Sequence, residues 1–269
     1  MADGSALAPL LERTRGRAAV TLGARGLERL HQSGSAKAFL PRVHSPVPEV
    51  VFLNTAGGLT GGDRLSFALV LGPAARVVGT TQTAERAYAA ADGRAEVEVA
   101  LTLGPGAALD WLPQETILFD RSALSRRLTV EMATDARFLF CETLVLGRAA
   151  MGETLASIAL HDRREIRRAG VPVLAEAVRL TDATLRAGPA ALGGRRAVAS
   201  LALVAPGAED ALAVLRDALD AEGVEAAASA WNGRCVARLI APDALPLKRA
   251  LARALTVLRG APLPRVWQI

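Results

Sequence analysis

Apolar and polar residues alternate along much of the first two thirds of the chain. The alternation has a period of two at residues 65–71, 96–103 and 124–132. This period is typical of β-strands that bury one face and leave the other in contact with water. Turn signals such as Gly72-Pro73 follow the strands, so the pattern predicts a succession of short strands. In the third segment the residues that share one face are Leu124, Arg126, Leu128, Val130 and Met132.

A short repeat ends two of these strands. The pattern Leu-x-Leu-Gly-Pro occurs at residues 69–73 and again at residues 101–105, a spacing of 32 residues. In both places a strand stops at Gly-Pro and another apolar strand begins at once. This arrangement favours sheets stacked by successive turns, as in a sandwich or an irregular solenoid. Two copies are too few to establish a repeat protein.

The last third of the chain changes to a helical period. Residues 210–221 place Leu212, Leu215 and Leu219 on one face of a helix, and Glu222-Gly223 predicts its glycine cap. Residues 229–240 predict a single strand. Asp243 predicts the N-cap of a second helix. The apolar face of that helix and the glycine beyond it are Leu247, Leu251, Leu255, Leu258 and Gly260.

Composition identifies a globular chain, since 51% of the 269 residues are apolar and 22% are charged. The longest uncharged run, residues 50–62, is shorter than the roughly 18 residues that a membrane helix needs. Residues 1–17 show no signal peptide. We therefore expect a cytoplasmic protein with a mainly β (α+β) fold. Residues 1–269 are predicted to form one domain, with residues 1–15 as a flexible N-terminal segment.

The formal net charge of +5 does not by itself indicate a nucleic-acid ligand. Only Lys37 and Lys248 are lysines among the 32 basic residues, and the arginines are interleaved with acids along the chain. The densest cluster, residues 161–168, contains two acids and no aromatic residue. It is interpreted as a solvated basic face or a partner contact, rather than as a track for phosphates.

The two cysteines lie in apolar, strand-like surroundings. Cys141 and Cys235 are therefore predicted to be free, buried thiols rather than a disulfide. The chain contains neither a Cys-x-x-Cys nor a His-Glu-x-x-His pattern, so the sequence predicts no preformed zinc-type site. A serine hydrolase is not indicated either, because no Gly-x-Ser-x-Gly elbow is present.

The most unusual segment is Asn-Thr-Ala-Gly-Gly-Leu-Thr-Gly-Gly-Asp at residues 54–63. Its four glycines permit positive φ angles and close approach of the backbone. No Lys-Ser or Lys-Thr follows, so the segment is not a P-loop, and its spacing does not fit a dinucleotide fingerprint. A structural loop is favoured over a phosphate site. We predict a positive φ for at least one of Gly57, Gly58, Gly61 and Gly62.

Glu142 lies inside an apolar strand, where a charge costs several kcal/mol, roughly, unless it is paired or hydrated. Asp63, Glu85 and Glu176 are similar acids within strands or at strand ends. Each can be a surface carboxylate or the partner of an arginine. A small-molecule enzyme remains an alternative hypothesis, with the glycine-rich loop at residues 57–62 as the binding loop and Glu115 and Glu142 as acid and base.

Four ordered motifs, at residues 54–63, 111–119, 142–153 and 263–267, resemble the UreD family of urease accessory proteins, called UreH in some bacteria. The resemblance implies an elongated stack of many short strands, irregular and β-helix-like, with two helices near the C-terminus. It also implies a non-enzymatic protein that binds apo-urease and UreF, with the GTPase UreG joining through UreF. Such proteins help to deliver Ni²⁺ to urease, and a water-filled internal passage is proposed to carry the ion.

A passage for Ni²⁺ must offer oxygen ligands without holding the ion tightly. We therefore expect no fixed metal site and no tightly bound cofactor, only Ni²⁺ in transit. Each candidate residue for the passage can equally be structural. The candidates in or beside the matching motifs are Asp63, Thr60, Gln82, Glu85, Gln114, Glu115, Glu142 and Glu176.

Overall fold

A computed structural model describes residues 13–42 and 45–268 of the chain. Residues 1–12, most of the predicted flexible segment, lie outside the described residues. The first twelve strands are β1 (Arg15–Gly23), β2 (Gly26–Gly34), β3 (Ala36–Phe39), β4 (Glu49–Asn54), β5 (Arg64–Leu71), β6 (Arg76–Thr81), β7 (Glu85–Ala87), β8 (Ala95–Leu103), β9 (Ala108–Leu112), β10 (Thr116–Leu118), β11 (Ser122–Met132) and β12 (Arg137–Leu146). The remaining elements are β13 (Ile158–Arg168), β14 (Val171–Thr181), α1 (Asp182–Arg186), β15 (Ala197–Val204), α2 (Leu212–Leu219), β16 (Glu225–Trp231), β17 (Arg234–Ala241) and α3 (Ala244–Arg259).

The strands wind into stacked coils. In one sheet β1, β5, β8, β11 and β13 are parallel neighbours in chain order, and β2 and β14 add antiparallel edges. In the second sheet β4, β6, β9 and β12 are parallel, and β3, β15, β17 and β16 extend it with antiparallel pairs. The short β7 and β10 form a third parallel row beside β12. The result resembles a β-solenoid of about four turns, which confirms the predicted stack of strands.

The repeated Gly-Pro motifs mark equivalent corners of successive coils. Leu71 and Leu103 are register partners, and the Gly104 N–H donates to the Leu71 carbonyl at 2.8 Å. Two copies of one corner therefore stack directly on each other.

Two apolar cores lie on opposite faces of the second sheet. The first fills the inside of the coil and contains Phe52, Phe67 and Trp111. The second lies between the outer face of the sheet and helices α2 and α3. Because β12 is covered on both faces, its residues 138–146 are all buried, and all of them except Glu142 and Thr143 are apolar. Glu142 lies in the middle of this run.

The C-terminal region differs from the prediction at two points. The single strand predicted at residues 229–240 is wrong, because the segment forms the hairpin β16–β17 around Asn232 and Gly233. Both turn residues have positive φ, 48° and 72°, which is the conformation that Asn-Gly favours in two-residue hairpin turns. The predicted glycine cap of the first helix is also wrong, since α2 ends at Leu219 and its C-cap is Asp220.

The second predicted helix is confirmed. The Asp243 carboxylate accepts the Ala244 N–H at 2.6 Å, and Gly260 closes α3 with a φ of 61°. Leu247, Leu251 and Leu255 are fully buried, as the helical spacing indicates. The one-turn helix α1 was not predicted, because five residues are too few to show a helical period.

Two expectations about side chains are also settled. Both cysteines are free and buried, as predicted. The interpretation of residues 161–168 as a solvated face is wrong for Asp162 and Arg164, because alternate residues of β13 point into the coil. Within residues 13–42 and 45–268, no helix is long and apolar enough to cross a membrane.

Candidate functional site

The glycine-rich loop connects β4 to β5 and is tied together by its last residue. The Asp63 carboxylate accepts the backbone N–H groups of Thr14 and Thr60 at 2.7 and 2.8 Å, which explains its burial. The Thr60 hydroxyl donates to the Ala89 carbonyl at 2.9 Å. The predicted positive φ is confirmed, with Gly57 at 76° and Gly62 at 89°. Thr60 and Asp63 hold the loop and do not line the cavity described next.

A cavity of about 80 Å³ lies inside the coil, between residues of several successive turns. This volume is large enough for water molecules. Three of the eight candidate residues line it, namely Glu85, Gln114 and Glu142. Its apolar walls come from both main sheets. They include Leu53, Phe67, Val97, Val99, Trp111 and Leu124.

The cavity wall contains polar groups that the surrounding protein does not fully satisfy. Trp111 lies beside Glu142, and its buried Nε1 has no hydrogen-bond partner among the described residues. Glu142 Oε2 lies 2.6 Å from Arg126 Nη1, an ion pair whose geometry is not that of an aligned hydrogen bond. Buried polar atoms in this situation are normally hydrated, so the inside of this cavity suits a polar ligand or water.

Arg126 is the centre of a buried charge cluster at one end of the cavity. It lies on the inward face of β11 between Leu124 and Leu128, and its side chain is 9% exposed. Its Nε and Nη2 donate to the two oxygens of Asp162 at 3.1 and 2.7 Å. Its Nη1 donates to the Thr116 hydroxyl at 3.0 Å. The guanidinium therefore joins β10, β12 and β13 from inside the coil.

The cluster continues from Asp162 towards the surface. Arg164, on the same inward face of β13, contacts Asp162 and donates to Glu176 Oε2 at 2.8 Å. Glu176 on β14 also pairs with Arg238 of β17, whose side chain is 49% exposed. Three carboxylates and three guanidiniums thus alternate from the cavity wall to solvent. This set, the charge chain, consists of Glu142, Arg126, Asp162, Arg164, Glu176 and Arg238.

Burial and ion pairing set the pKa values of the carboxyl groups in the charge chain and the cavity wall. Burial raises the pKa of Glu142 above its usual value, and Arg126 and Arg164 offset only part of that effect. Burial acts in the same direction on Asp162, but Arg126 and Arg164 outweigh it and hold the pKa of that carboxyl below its usual value. The pKa of Glu85, at the other side of the cavity, is raised by burial.

The presence of the charge chain is poorly explained by its contribution to the stability of the protein. Replacing a buried ion pair with apolar residues of similar size is often neutral or stabilising, whereas removing one partner costs about 3–5 kcal/mol. The charge chain is therefore weak evidence for stability and is a candidate for a functional role.

The segment at residues 111–116 is held by the C-terminal motif and α3. Trp267 Nε1 donates to the Leu112 carbonyl at 2.9 Å, and Gln114 Nε2 donates to the Val266 carbonyl at 3.1 Å. Lys248 Nζ donates to Gln114 Oε1 at 2.8 Å and to Glu115 Oε2 at 3.3 Å. These contacts fix the Gln114 amide in the cavity wall.

The other predicted residues lie elsewhere. Gln82 is exposed after β6, and Glu115 pairs with Lys248 outside the cavity lining. Glu176 is separate from the cavity but joins Glu142 through the charge chain. Glu115 and Glu142 do not share one cavity, so the structure does not assemble the acid–base pair of the enzyme hypothesis.

Sequence reasoning missed Arg126, Asp162 and Arg164 as members of the site. The signal was present, because a charged residue at an apolar position of a period-two strand must point inward. Arg126 was part of the apolar face that predicted β11. What the period could not show is which strands are neighbours and therefore which charges meet. Among the described residues, no three His, Cys, Asp or Glu side chains are grouped to hold a metal ion.

Comparisons with known proteins all point to the same family, and the similarity extends over nearly the whole chain. The family model described as UreD urease accessory protein matches residues 13–268. A urease accessory protein UreD from Cereibacter sphaeroides is 60% identical, with 96% of each chain covered. Proteins of the same name from Dinoroseobacter shibae and Paracoccus denitrificans are 58% and 52% identical, covering 99% and 98% of this chain and 96% of each relative.

Proposed function

The chain belongs to the UreD family of urease accessory proteins, and from this premise we propose how it acts in urease maturation. It is a non-enzymatic scaffold that binds apo-urease and UreF, and UreG joins the complex through UreF. Within that complex it passes Ni²⁺ towards the active site of urease. The family membership supports the role in maturation, and the polar interior of the coil supports the route for the ion.

The observation that carries the proposed route is a series of carboxylates that runs from the cavity to the surface, with arginines between successive members. Glu85 and Glu142 line the cavity, and Asp162 and Glu176 continue from it towards the exposed Arg238. Carboxylate, hydroxyl and amide oxygens bind a divalent cation without the affinity of a Cys/His cluster. A series of such groups suits an ion that must leave again.

The competing hypothesis, a small-molecule enzyme, has weaker support. Its two proposed acid–base residues are engaged by different cations, Glu142 by Arg126 and Glu115 by Lys248. A cavity of about 80 Å³ also leaves little room for a substrate larger than a few water molecules.

Coexpression with urease, UreF and UreG tests the proposal. The purified urease is assayed for nickel content, and the same preparation is assayed for yield of the complex. We expect Glu142→Ala to lower the nickel content of urease severalfold, because it removes a carboxylate from the cavity wall. The yield of complex should be unchanged, since Arg126 keeps both oxygens of Asp162 as partners. The matched control is Glu98→Ala, which removes an exposed carboxylate from the outer face of the neighbouring sheet.

Two results would argue against this function. If the chain fails to copurify with any of the urease partners, the scaffold role is wrong. If Glu142→Ala leaves the nickel content of urease unchanged in an intact complex, the route through the cavity is wrong.

A further inference from the structure

An open groove of about 530 Å³ lies on the surface beside the turn between β10 and β11. Three of the four motifs that carry the family resemblance meet there. Phe119 comes from the second motif, Arg148 and Glu153 come from the third, and the glycine-rich loop contacts Tyr88. The proposed route of Ni²⁺ uses none of these four side chains, so their common position needs another explanation.

Part of the groove wall is aromatic. The Tyr88 and Phe119 rings meet edge to face with centroids 5.0 Å apart, and Tyr88 remains 40% exposed. The Tyr88 hydroxyl donates to the Gly57 carbonyl at 3.3 Å, and a Cβ at Gly58 would clash with the Tyr88 ring. Aromatic side chains and arginines are enriched at the centres of protein–protein interfaces.

The loop after β12 holds the other wall of the groove in place. Glu153 Oε2 accepts the Arg148 backbone N–H and the Arg148 Nε, both at 2.9 Å. The Arg148 guanidinium lies 4.5 Å from the centre of the Phe119 ring. Asp120 Oδ1 accepts the Ala156 N–H at 2.7 Å and so fixes the end of the loop. A wall that is already ordered loses little conformational entropy on binding.

Arg121 combines a strained backbone with a side chain that the protein leaves free. Its φ of 61° lies in the left-handed region, where a turn normally has Gly, Asn or Asp. Its side chain is 74% exposed. Among the described residues its one acidic neighbour is Asp120, at 4.0 Å from Nε, which is too far for a hydrogen bond. Glycine would suit this turn better, so the backbone does not explain the arginine.

A second guanidinium without a carboxylate partner lies next to Tyr88. Arg86 Nη1 donates to the Gly57 carbonyl at 3.4 Å, the same oxygen that accepts the Tyr88 hydroxyl. Within residues 13–42 and 45–268, no carboxylate forms an ion pair with it. The acids of the groove are engaged by backbone N–H groups and by Arg148. The charge left for a ligand at Arg86 and Arg121 is therefore positive and complementary to carboxylates.

We propose that this groove docks an extended acidic segment of a partner protein. Arg121 and Arg86 pair with carboxylates of the segment, and Tyr88 packs against an apolar side chain. The inference rests on the proposed function, because the partner is a member of the urease complex. A nucleic acid suits the groove less well, since its continuous phosphate chain would meet the carboxylates of Asp120 and Glu153.

Coexpression with urease, UreF and UreG tests the docking surface, with the yield of each partner measured after purification through the chain. Arg121→Glu reverses one charge of the groove. The control is Arg127→Glu, which makes the same change at an exposed residue on the outer face of β11. We expect Arg121→Glu to lower the yield of at least one partner by about fivefold or more, because like charges across an interface repel. Arg127→Glu should leave the yields unchanged.

A second variant separates binding from folding. Arg121→Gly removes the guanidinium and relieves the positive φ, so it should not lower the Tm of the isolated chain. The yield of the same partner should still fall by about threefold or more. The control is Ala169→Gly, which relieves a φ of 49° away from the groove and should leave the yields unchanged. A merely structural role for Arg121 predicts the reverse, a lower Tm with unchanged yields.

A photo-cross-linker identifies the occupant. Thr154 is exposed and lines the groove, so p-benzoylphenylalanine in its place reports what lies there in the purified complex. We expect a cross-link to a segment of urease or UreF that contains aspartate or glutamate.

Several results would overturn the proposal. They are unchanged yields for Arg121→Glu, a cross-link only to a second copy of this chain, a cross-linked segment without a carboxylate, and no cross-link at all. Loss of a bound nucleic acid in place of a protein partner would overturn it as well. An intact complex with unchanged yields removes the docking surface alone, whereas a natural chain that copurifies with no partner removes the proposed function too.

Discussion

Glu142 and Asp162 share one arginine, yet their pKa values shift in opposite directions. Asp162 receives two hydrogen bonds from Arg126 and a further contact from Arg164, which together exceed the cost of burial. Glu142 has one close contact with Arg126, and the neighbouring Asp162 carboxylate adds to the effect of burial on its pKa. At the scale of single residues, the number of donors aimed at a buried carboxylate decides the direction in which its pKa shifts.

This difference predicts a specific pH dependence of stability. The pKa of Glu142 is higher in the folded chain than the value of about 4.3 for an unfolded glutamate, so between the two values the folded chain binds more protons. Glu142 therefore contributes a loss of stability as pH rises through this window. In Glu142→Gln that loss is absent, and the stability of the natural chain relative to the variant should fall as pH rises above about 4.3.

Urea unfolding at a series of pH values measures this difference. Glu98→Gln is the control, because it makes the same change at an exposed position of the other main sheet. Parallel stability profiles for the natural chain and Glu142→Gln would contradict the raised pKa.

Substitutions at two glycines of the loop at residues 54–63 measure the cost of backbone strain and the cost of steric crowding separately. Gly57 has a φ of 76° but open space where the Cβ of a larger residue would lie, whereas Gly61 has an ordinary φ and a Cβ there would lie 1.9 Å from the Asp92 carbonyl oxygen. We expect Gly57→Ala to lower the free energy of unfolding by about 1 kcal/mol and Gly61→Ala by about 2–3 kcal/mol. Chemical denaturation of both variants checks the order, and equal losses would show that crowding at Gly61 is relieved.

At the scale of elements, helix α3 is the clearest amphipathic segment of the chain. Leu251 is buried against the second sheet, while Val257 of the same helix is 46% exposed. We expect Leu251→Asp to lower the free energy of unfolding by more than about 4 kcal/mol, because the carboxylate would be buried without a partner.

The matched control is Val257→Asp, which introduces the same side chain on the exposed face. It should cost less than about 1 kcal/mol. Thermal unfolding of the two variants gives the comparison. A folded and fully stable Leu251→Asp variant would mean that α3 does not cover the sheet.

The elements that sequence reasoning predicted are those whose signals are local. Period two indicated β5, β8 and β11, and Asp243 with Gly260 bounded α3. The hairpin at β16–β17 was missed although Asn232-Gly233 marks its turn, because the apolar residues on both sides read as one continuous run. The charge chain could not be predicted, since Arg126 and Asp162 meet only through the pairing of β11 with β13. That pairing is a tertiary fact that no local pattern contains.

At the scale of the whole molecule, the C-terminal motif supports a part of the cavity wall whose residues lie much earlier in the sequence. Trp267 donates to the Leu112 carbonyl across 155 residues, and Lys248 Nζ lies 5.7 Å from the centre of the Trp267 ring. This arrangement brings the motifs at residues 111–119 and 263–267 into direct contact.

Trp267→Phe tests this long-range support. The variant keeps an aromatic ring but removes one of the two donors to the Leu112 carbonyl, which also accepts the Thr80 hydroxyl at 2.6 Å. We therefore expect a loss of about 1 kcal/mol in the free energy of unfolding. The Gln114 N–H, which donates to the Thr81 hydroxyl at 2.9 Å, should also exchange faster with deuterium. Unchanged exchange at Gln114 would show that the wall is rigid without the C-terminal motif.

The order of the parallel strands determines where the molecule begins to unfold. In the first sheet β1, β5, β8, β11 and β13 follow one another in space as they do in sequence, so each turn of the coil is held mainly by its two neighbours. Such a molecule behaves as a one-dimensional array in which opening spreads from the ends inward. The charge chain lies towards one end of this array, where partial opening would expose it to solvent before the central turns around β8 unfold.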